Sequence, residues 1–325
     1  MPVEWSSDPD ALSSERWLAL LRADPEATFF HTPDYLQRYR ETSGDATVEA
    51  AFVEHGDESV AAAAFELGDG TLTFLGGSEV TDYMGPVGPP SARKEAAKTL
   101  IGGLAARDDW RIADLRGLPE EGSWLDALSG AAAEADIATE VGSDGIAPAI
   151  DLPSTWEEYL GSLQGKLRHE IRRKDRRLRE AFPDARLVDA SAETLEDDLD
   201  RFVALHRSSE GEKARFLNPE RELFFRRLAT ALLPKGIFRM VFLEAAGEKL
   251  AAAVGFWWQR GFLLYNSAYD RRHARIAPGM VLVSELIRDL IRSGCDRLDM
   301  LKGDLGYKYR FGAAPHGVGR LLLRR

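Results

Sequence analysis

A basic turn near the end of the chain has the residue types of an anion-binding site. It lies between the apolar run 262–269, which predicts a buried strand, and the segment 280–291, whose apolar residues have helical spacing. Its basic side chains are Arg271, Arg272, His273 and Arg275. The first amides of a helix have no partner inside the helix, and the helix dipole favours an anion beside them. The turn therefore predicts a phosphate site, although an ordinary strand-to-helix turn with solvated arginines has the same pattern.

Pro278 and Gly279 stand where the predicted helix begins. Proline suits a first helical turn because the N–H it lacks would have no partner there, and glycine lets a ligand approach the backbone closely. The residues predicted to hold the phosphate are Arg275, Ala277, Gly279 and Met280.

A second polar cluster follows the next predicted strand, 296–301. Its members are Lys302, Asp304, Tyr307, Lys308 and Arg310. Carboxylates and phenols transfer protons, and cations hold anionic groups. This cluster is therefore the candidate for catalysis and for binding a charged substrate.

The spacing of this cluster resembles the GNAT-like acyltransferases of the FemAB/CelD type, which include proteins linked to bacterial cellulose and exopolysaccharide synthesis. The matching residues are Asp299, Lys302, Gly303, Asp304, Tyr307, Lys308, Arg310, Phe311 and Gly312, preceded by Tyr265, Asp270 and Pro278-Gly279. Two positions depart from the family pattern. Lys302 stands where the family usually has Arg and loses bidentate geometry, and Leu305 stands where an acidic residue often follows the Asp.

The resemblance implies an acyl donor whose pantetheine arm lies between splayed central strands. It makes Asp304 the first candidate for the base or for acceptor binding, His206 the second, and Tyr307 the acid for the leaving thiolate. A backbone amide at an exposed strand edge would polarise the thioester carbonyl. The implied substrate-binding residues are Asp270, Lys302, Lys308 and Arg310.

Two further segments resemble family elements. His206 precedes a predicted loop that contains the weaker candidate Glu210 and also Gly211, and a lone histidine in such a place is also often structural. Asp82 and Tyr83 lie on a glycine-bearing loop, 76–90, where they would bind substrate or form an Asx turn.

The predicted helix 160–181 is strongly basic. It has eight Lys and Arg but two acidic residues between Lys166 and Arg179, with an apolar stripe that docks it on the core. Either the basic face is simply solvated, or Lys166 and Arg173 bind an anionic acceptor such as a nucleotide-linked or phosphorylated sugar. Nucleic acid is a third reading, which the acidity of the whole chain disfavours.

Composition places the chain among soluble globular proteins, with 44% hydrophobic and 29% charged residues. No apolar run reaches the roughly 20 residues of a membrane span, and the polar, acidic N-terminus is unlike a secretory signal. Cys295 is the single cysteine, so we expect a reducing cytoplasmic location and no cysteine-based metal cluster. The sequence contains no serine-hydrolase, Walker or zinc-protease motif.

Charge divides the chain near residue 150. Residues 1–150 contain 10 basic and 28 acidic residues, whereas residues 151–325 contain 32 basic and 25 acidic residues. The formal net charge of the whole chain is −11. The second half is therefore the candidate for an anionic ligand.

The predicted fold is an α/β protein with mixed sheets, built as two tandem GNAT-like domains, 1–150 and 151–325. Each half has the order helices, three antiparallel strands, helix, strand, helix, strand. The second half begins with a long helix, 155–181, and ends with a last strand, 317–323. We expect the second domain to hold acyl-CoA, and the first to lack a donor and shape the acceptor cleft.

The sequence leaves three functions open. The first is an acyltransferase that uses acetyl-CoA or another acyl-CoA, without a metal, to modify an amine or hydroxyl of a small molecule or glycan precursor. The second is a Fem-type peptidyltransferase that uses aminoacyl-tRNA, the only reading with a nucleic-acid partner. The third is a catalytically degenerate GNAT pair that binds a partner.

Overall fold

A computed structural model describes residues 1–209 and 215–325, so the candidates Glu210 and Gly211 lie outside the described residues. The chain divides into two compact units. The first comprises Met1–Ile146 and His316–Arg325, and the second comprises Ala147–Pro315. Both units combine a mixed sheet with helices, which confirms the predicted α/β class. Within the described ranges, no helix is long and apolar enough to cross a membrane.

The first unit is a seven-stranded sheet in the order β1-β2-β3-β4-β5-β13-β6. Its strands are β1 (Val3–Ser6), β2 (Thr47–His55), β3 (Glu58–Gly68), β4 (Thr71–Phe74), β5 (Ile112–Pro119), β6 (Ala138–Ile146) and β13 (Gly317–Arg324). Its helices are α1 (Glu15–Ala23), α2 (Pro33–Arg40), α3 (Arg93–Ala105) and α4 (Ser123–Glu134). Leu100 and Leu104 of α3 pack on the sheet residues Leu72 and Leu115 to form the core.

The second unit is a six-stranded sheet in the order β7-β12-β11-β10-β9-β8. Its strands are β7 (Ala149–Asp151), β8 (Arg186–Asp189), β9 (Phe238–Ala245), β10 (Glu248–Trp258), β11 (Gly261–Tyr269) and β12 (Arg297–Asp299). Its helices are α5 (Trp156–Ser162), α6 (Gly165–Ala181), α7 (Leu195–Arg207), α8 (Pro219–Leu232), α9 (Pro278–Arg292) and α10 (Gly306–Tyr309). Leu286 and Ile287 of α9 pack on Ala251 and Phe262 of the sheet.

The last strand of the chain belongs to the first unit. β13 lies between β5 and β6 and is antiparallel to both, although it follows the second unit in sequence. Conversely, β7 pairs with β12 in the second unit. The predicted domain 151–325 therefore differs from the second unit at both ends: the unit also includes residues 147–150, and residues 316–325 belong to the first unit. Alternation of apolar residues predicts a strand but carries no information about which sheet it joins.

The predicted long helix 155–181 is two helices. α5 begins with a capping box in which Thr155 and Glu158 satisfy each other's backbone amides, and it ends at Leu163, which is extended (φ −74°, ψ 145°). Leu163 is buried and lies so close to Gly312 that a Cβ there would collide with it. The break therefore lets Leu163 enter the core, a tertiary demand that helical spacing does not reveal.

His31 makes the stability of the first unit depend on pH. It ends a short 3-10 helix, Phe29–His31, and its Nδ1 accepts a hydrogen bond from the Thr28 amide at 3.0 Å. Burial lowers the pKa of His31 from 6.5 to about 4. The unfolded chain therefore binds a proton between pH 6.5 and pH 4 that the folded unit excludes. The contribution of His31 to the free energy of unfolding is fully present above pH 6.5 and falls by about 3 kcal/mol as the pH approaches 4.

The measurement is urea unfolding at pH 7 and pH 4 for the wild type and for His31→Asn. Asn has an acceptor oxygen for the Thr28 amide but does not titrate in this range. We expect the variant to lose less stability between the two pH values. Equal losses would assign the whole pH dependence to carboxylates instead.

Candidate active site

The central strands of the second unit separate next to α9. β11 pairs with β12 in parallel over Gly261–Leu263, and from there to Tyr269 it is paired only with β10 on its other side. Beyond Leu263, residues 1–209 and 215–325 provide no further strand on that side of β11. A strand edge of this kind presents backbone N–H and C=O groups to whatever occupies the gap. An exposed strand edge of this kind was expected from the family resemblance.

β11 contains a bulge next to this gap. Val254 of β10 pairs with Asn266, but the next residue, Gly255, pairs with Leu264, so Tyr265 has no counterpart. A Cβ on Gly255 would collide with the Leu263 carbonyl oxygen and with the Phe262 ring. Bulges bend a strand and change the direction of its side chains, and they are frequent beside active sites.

A cavity of about 250 Å³ lies at the end of β11 and the start of α9. Five residues predicted from the sequence line it: Ala277, Gly279, Met280, Tyr307 and Arg310. Ser267 and Tyr269 of β11 also line it and were not predicted. Most of the predicted phosphate turn and Tyr307 thus line one cavity, whereas Arg275 is not part of its wall.

The turn before α9 is held in an unusual backbone conformation. The 3-10 helix Arg271–Ile276 ends at Ala277, which is left-handed (φ 54°, ψ 54°) and is followed by Pro278 at the first position of α9. Gly279 and Met280, in the first turn of α9, line the cavity. Arg275 is exposed on the same 3-10 helix. A helix N-terminus near a cation favours an anion, and the phosphate site at this turn stays a prediction.

Relieving the strain at Ala277 should stabilise the second unit. A non-glycine residue in the left-handed region costs about 1–2 kcal/mol, and glycine adopts this conformation freely. We expect Ala277→Gly to stabilise the unit by up to about 1 kcal/mol, because glycine also makes the unfolded chain more flexible. Urea unfolding measures this change, with Ala274→Gly, in the same 3-10 helix, as the control. A destabilised Ala277→Gly variant would contradict the strain.

Asp270 holds this turn in place and is not available as a substrate ligand. Its carboxylate accepts hydrogen bonds from the Arg272 amide at 3.0 Å and from the Arg272 guanidinium at 2.6 Å, and it pairs with Arg201 at 3.4 Å. Arg272 keeps the pKa of Asp270 well below its usual range. The substrate-binding role predicted for Asp270 is therefore corrected to a structural one.

Lys308 is also structural. It is buried, and its Nζ donates hydrogen bonds to the carbonyl oxygens of Leu301 at 2.6 Å and Lys302 at 3.0 Å. The ammonium therefore fixes the loop between β12 and α10, which corrects its predicted contact with a substrate anion. Lys302 itself lies half-buried on this loop and is not part of the cavity wall.

Tyr307 has the environment of a proton donor. It lines the cavity together with Ser267, which lowers the pKa of the phenol as a side-chain hydrogen-bond partner. Burial raises the pKa of Tyr307 above its ordinary value of 10, so the phenol keeps its proton at neutral pH.

Asp304 lies on the exposed loop before α10 and outside the cavity wall. Its carboxylate accepts a hydrogen bond from the Tyr309 hydroxyl at 2.6 Å and raises the pKa of that tyrosine. The base role of Asp304 stays a prediction.

His206 does not reach the cavity wall. It is fully buried, its Nε2 lies 3.1 Å from Nδ2 of Asn266, and its ring packs near Phe202 and Phe216. A group in this position cannot contact a substrate, so its predicted direct catalytic role is corrected.

Tyr83 belongs to the core of the first unit. It is buried, with its ring 6.4 Å from that of Phe30. This packing corrects its predicted contact with substrate. Its neighbour Asp82 is half-buried, and its substrate role stays a prediction.

α6 presents a basic face to solvent. Ile171 and Leu178 are buried, whereas the exposed cations are Lys166, Arg172, Arg173, Arg176, Arg177 and Arg179. Arg176 and Arg179 pair with carboxylates, but Lys166, Arg172, Arg173 and Arg177 form no ion pair with any described residue. At the end of α6, the Phe182 ring lies 5.9 Å from His273 of the phosphate turn. The C-terminal end of α6 therefore lies beside this turn.

The described residues contain no group of three or more His, Cys, Asp or Glu side chains placed to hold a metal ion.

Comparisons with known proteins agree with this geometry. Residues 165–309 match the family model of the acetyltransferase (GNAT) domain. No curated protein matched the sequence. A conserved protein of unknown function from Bacteroides thetaiotaomicron has a similar structure, with a TM-score of 0.67 at 13% identity, over 99% of this chain and 100% of the other.

FemX has a TM-score of 0.67 at 10% identity, over 98% of this chain and 97% of its own. A tandem GNAT protein from the clavulanic acid biosynthesis pathway has a TM-score of 0.52 at 12% identity, over 99% of this chain and 98% of its own. At these identities the likeness concerns the fold alone. The chain therefore has a tandem GNAT-like fold, and its residues 165–309 match the GNAT acetyltransferase domain.

Proposed function

We propose that the chain transfers an acyl group, acetyl in the simplest case, from acyl-CoA to an amine or hydroxyl. The observation that supports this most directly is the cavity in which the α9 N-terminus, the free edge of β11 and the protonated Tyr307 meet. The proposed acceptor is a small sugar- or nucleotide-linked molecule of cell-envelope or exopolysaccharide metabolism, and the proposed location is the cytoplasm.

The residues around the cavity fit a pantetheine thioester. Gly279 leaves room at the start of α9, where a Cβ would lie 3.1 Å from the Tyr269 ring. The Gly279 amide and Arg275 would hold the pyrophosphate, and the edge amides of β11 would hold the arm and polarise the thioester carbonyl. Bound acyl-CoA would supply the activated acyl group and a thiolate leaving group.

Proton transfer is the remaining task of the chain. The acceptor amine or hydroxyl must lose a proton to attack, and we propose Asp304 as the group that takes it, directly or through water. Tyr307 would give its proton to the departing sulfur. Arg310 at the cavity wall would hold an anionic group of the donor or acceptor.

We also propose that the first unit binds no acyl donor. Its α3 occupies the position in element order that α9 has in the second unit, and it begins at Arg93. Arg93 is buried and pairs with Asp24 at 2.6 Å and with Glu26. Carboxylates at this helix start would repel a pyrophosphate.

The acyl-transfer proposal is tested by release of free CoA thiol from acetyl-CoA in the presence of amino-sugar and nucleotide-sugar acceptors. Acceptor-dependent release is the expected result. If the protein binds acyl-CoA but releases no thiol with any acceptor in the panel, the proposed acceptor class is wrong.

The basic face of α6 favours aminoacyl-tRNA as the second candidate donor. Six exposed cations over Lys166–Arg179 would neutralise several phosphates, and RNA binding would then weaken steeply with salt. A gel-shift titration with aminoacyl-tRNA at 50 and 200 mM salt tests this, using Arg172→Glu/Arg173→Glu and, as a control, the exposed Arg292→Glu. Binding that only the α6 variant loses would favour the tRNA donor. If both variants bound aminoacyl-tRNA equally well, the basic face of α6 would not be a tRNA-binding surface.

A further inference from the structure

Two residues of β11 that the sequence analysis did not predict connect the buried His206 to the cavity. Asn266 Nδ2 lies 3.1 Å from His206 Nε2, and Asn266 Oδ1 accepts a hydrogen bond from the Ser267 amide at 2.8 Å. Ser267 lines the cavity together with Tyr307, and as a side-chain hydrogen-bond partner it lowers the pKa of the Tyr307 phenol.

The bulge determines which face of the sheet these side chains occupy. Leu264 packs in the core beneath α9. Tyr265 instead stacks on Phe225 of α8, with ring centroids 6.2 Å apart, and Asn266 contacts His206 of α7. The successive side chains of Tyr265 and Asn266 therefore lie on the same face of the sheet, toward α7 and α8, and the Ser267 side chain lies on the opposite face, toward the cavity. In a regular strand side chains alternate, so Ser267 would share the face of Tyr265 and point away from Tyr307.

Asn266 is placed to hold this irregularity. Its amide group spans from the buried His206 to the backbone of the following residue, and Gly255 opposite has no side chain to oppose the bulge. A side chain fixed at both ends restricts the backbone more than either hydrogen bond alone.

We propose that Asn266 and Ser267 are positioning residues for proton transfer: Asn266 fixes the bulge, and the Ser267 hydroxyl orients Tyr307 toward the leaving sulfur. This inference rests on the proposed acyl transfer. As the carbon–sulfur bond breaks, its electron pair goes to sulfur, and sulfur takes the Tyr307 proton. Ser267 meanwhile donates a hydrogen bond to the phenolate oxygen and keeps its own proton, and one proton from water then regenerates the Tyr307 phenol. The acceptor's own proton leaves through the base, so the overall step exchanges one proton for one acyl group.

The matched variants are Ser267→Thr, which keeps the hydroxyl, and Ser267→Val, which replaces it by a methyl group of similar shape. We expect kcat to fall by about 10- to 100-fold in the Val variant relative to Thr, as for loss of a hydrogen bond to a developing charge. The KM for acyl-CoA should agree within about threefold, because donor contacts are unchanged. Equal kcat values for the two variants would overturn the proposal.

A second readout does not depend on activity. In protein labelled at the tyrosine Cζ with ¹³C, the Tyr307 resonance is assigned by its loss in Tyr307→Phe and titrated between pH 8 and 12. We expect a higher midpoint for Tyr307 in the Val variant than in Thr, because a donated hydrogen bond favours the phenolate. Identical titrations would overturn the proposal even if no acceptor were known. Absence of acyl transfer in the wild type, by contrast, would contradict the proposed function and leave the titration to decide the role of Ser267.

Asn266 is tested by repeating the pair in an Asn266→Ala background. If Asn266 acts by holding Ser267 toward Tyr307, the difference in Tyr307 titration between Thr and Val should largely disappear. An undiminished difference would show that Ser267 keeps its position without Asn266.

Discussion

Replacing Tyr307 by Phe should lower kcat by about 10²–10⁴-fold, the usual contribution of a positioned general acid. The ring of Phe fills the same space, so the variant loses the proton and the contact with Ser267 but little else. Without the phenol, the thiolate must leave unprotonated or take its proton from water. The measurement is steady-state release of CoA thiol at saturating acetyl-CoA and acceptor.

Donor binding is the control for this variant. Tyr307 is proposed to act on the leaving group, so calorimetric titration should give Tyr307→Phe nearly the wild-type affinity for acetyl-CoA. A kcat within threefold of wild type would contradict the acid role. Loss of donor binding as well would make Tyr307 part of the cavity's structure.

The second large effect concerns the stability of the first unit. Asp24 and Arg93 form a buried ion pair, with exposed fractions of 2% and 1%. Asp24 also accepts hydrogen bonds from the amides of Gly88 at 2.9 Å and Glu26 at 2.8 Å. Removing one partner of a buried pair typically costs about 3–5 kcal/mol; here the change removes one of the two carboxylates that pair with Arg93 and the acceptor of two backbone amides. We expect Asp24→Ala to destabilise the unit by about that amount, measured by urea unfolding.

An exposed ion pair in the same unit provides the comparison. Asp109 lies 2.6 Å from Arg107 and is 44% exposed. Exposed pairs contribute about 0–1 kcal/mol, so Asp109→Ala should hardly shift the unfolding transition. Similar losses in the two variants would mean that burial does not determine the contribution of Asp24.

Local patterns predicted the elements around the cavity well. Helical spacing after Pro278 placed α9, and the apolar run placed β11. These features depend on neighbouring residues, which the sequence displays directly. The bulge had one visible sign, Gly255 inside a strand, since glycine there often marks an irregularity or a close backbone approach.

Roles of polar residues were harder to predict because the same residue types serve catalysis and structure. Lys308 and Asp270 carry charges suited to binding substrate, yet both stabilise backbone turns beside the cavity. His206 is buried behind the strand that it supports. Ser267 had no sequence signal, because only the strand register places it against Tyr307. Likewise, tertiary contacts and not local sequence determine that β13 joins the sheet of the first unit and β7 the sheet of the second.

The most direct test of the account is calorimetric titration of the protein with acetyl-CoA and with a longer acyl-CoA, repeated on Gly279→Asp and on the neutral Gly279→Asn. A carboxylate near a helix N-terminus does not weaken the helix, and thermal melting checks that both variants fold. The account predicts micromolar binding by the wild type and at least about 100-fold weaker binding by Gly279→Asp than by Gly279→Asn, since the carboxylate would repel the pyrophosphate. If Gly279→Asp left acyl-CoA binding unchanged, the donor would not bind at the N-terminus of α9. No binding of either donor to the wild type would contradict the acyl-CoA function and favour aminoacyl-tRNA or a non-catalytic binding role.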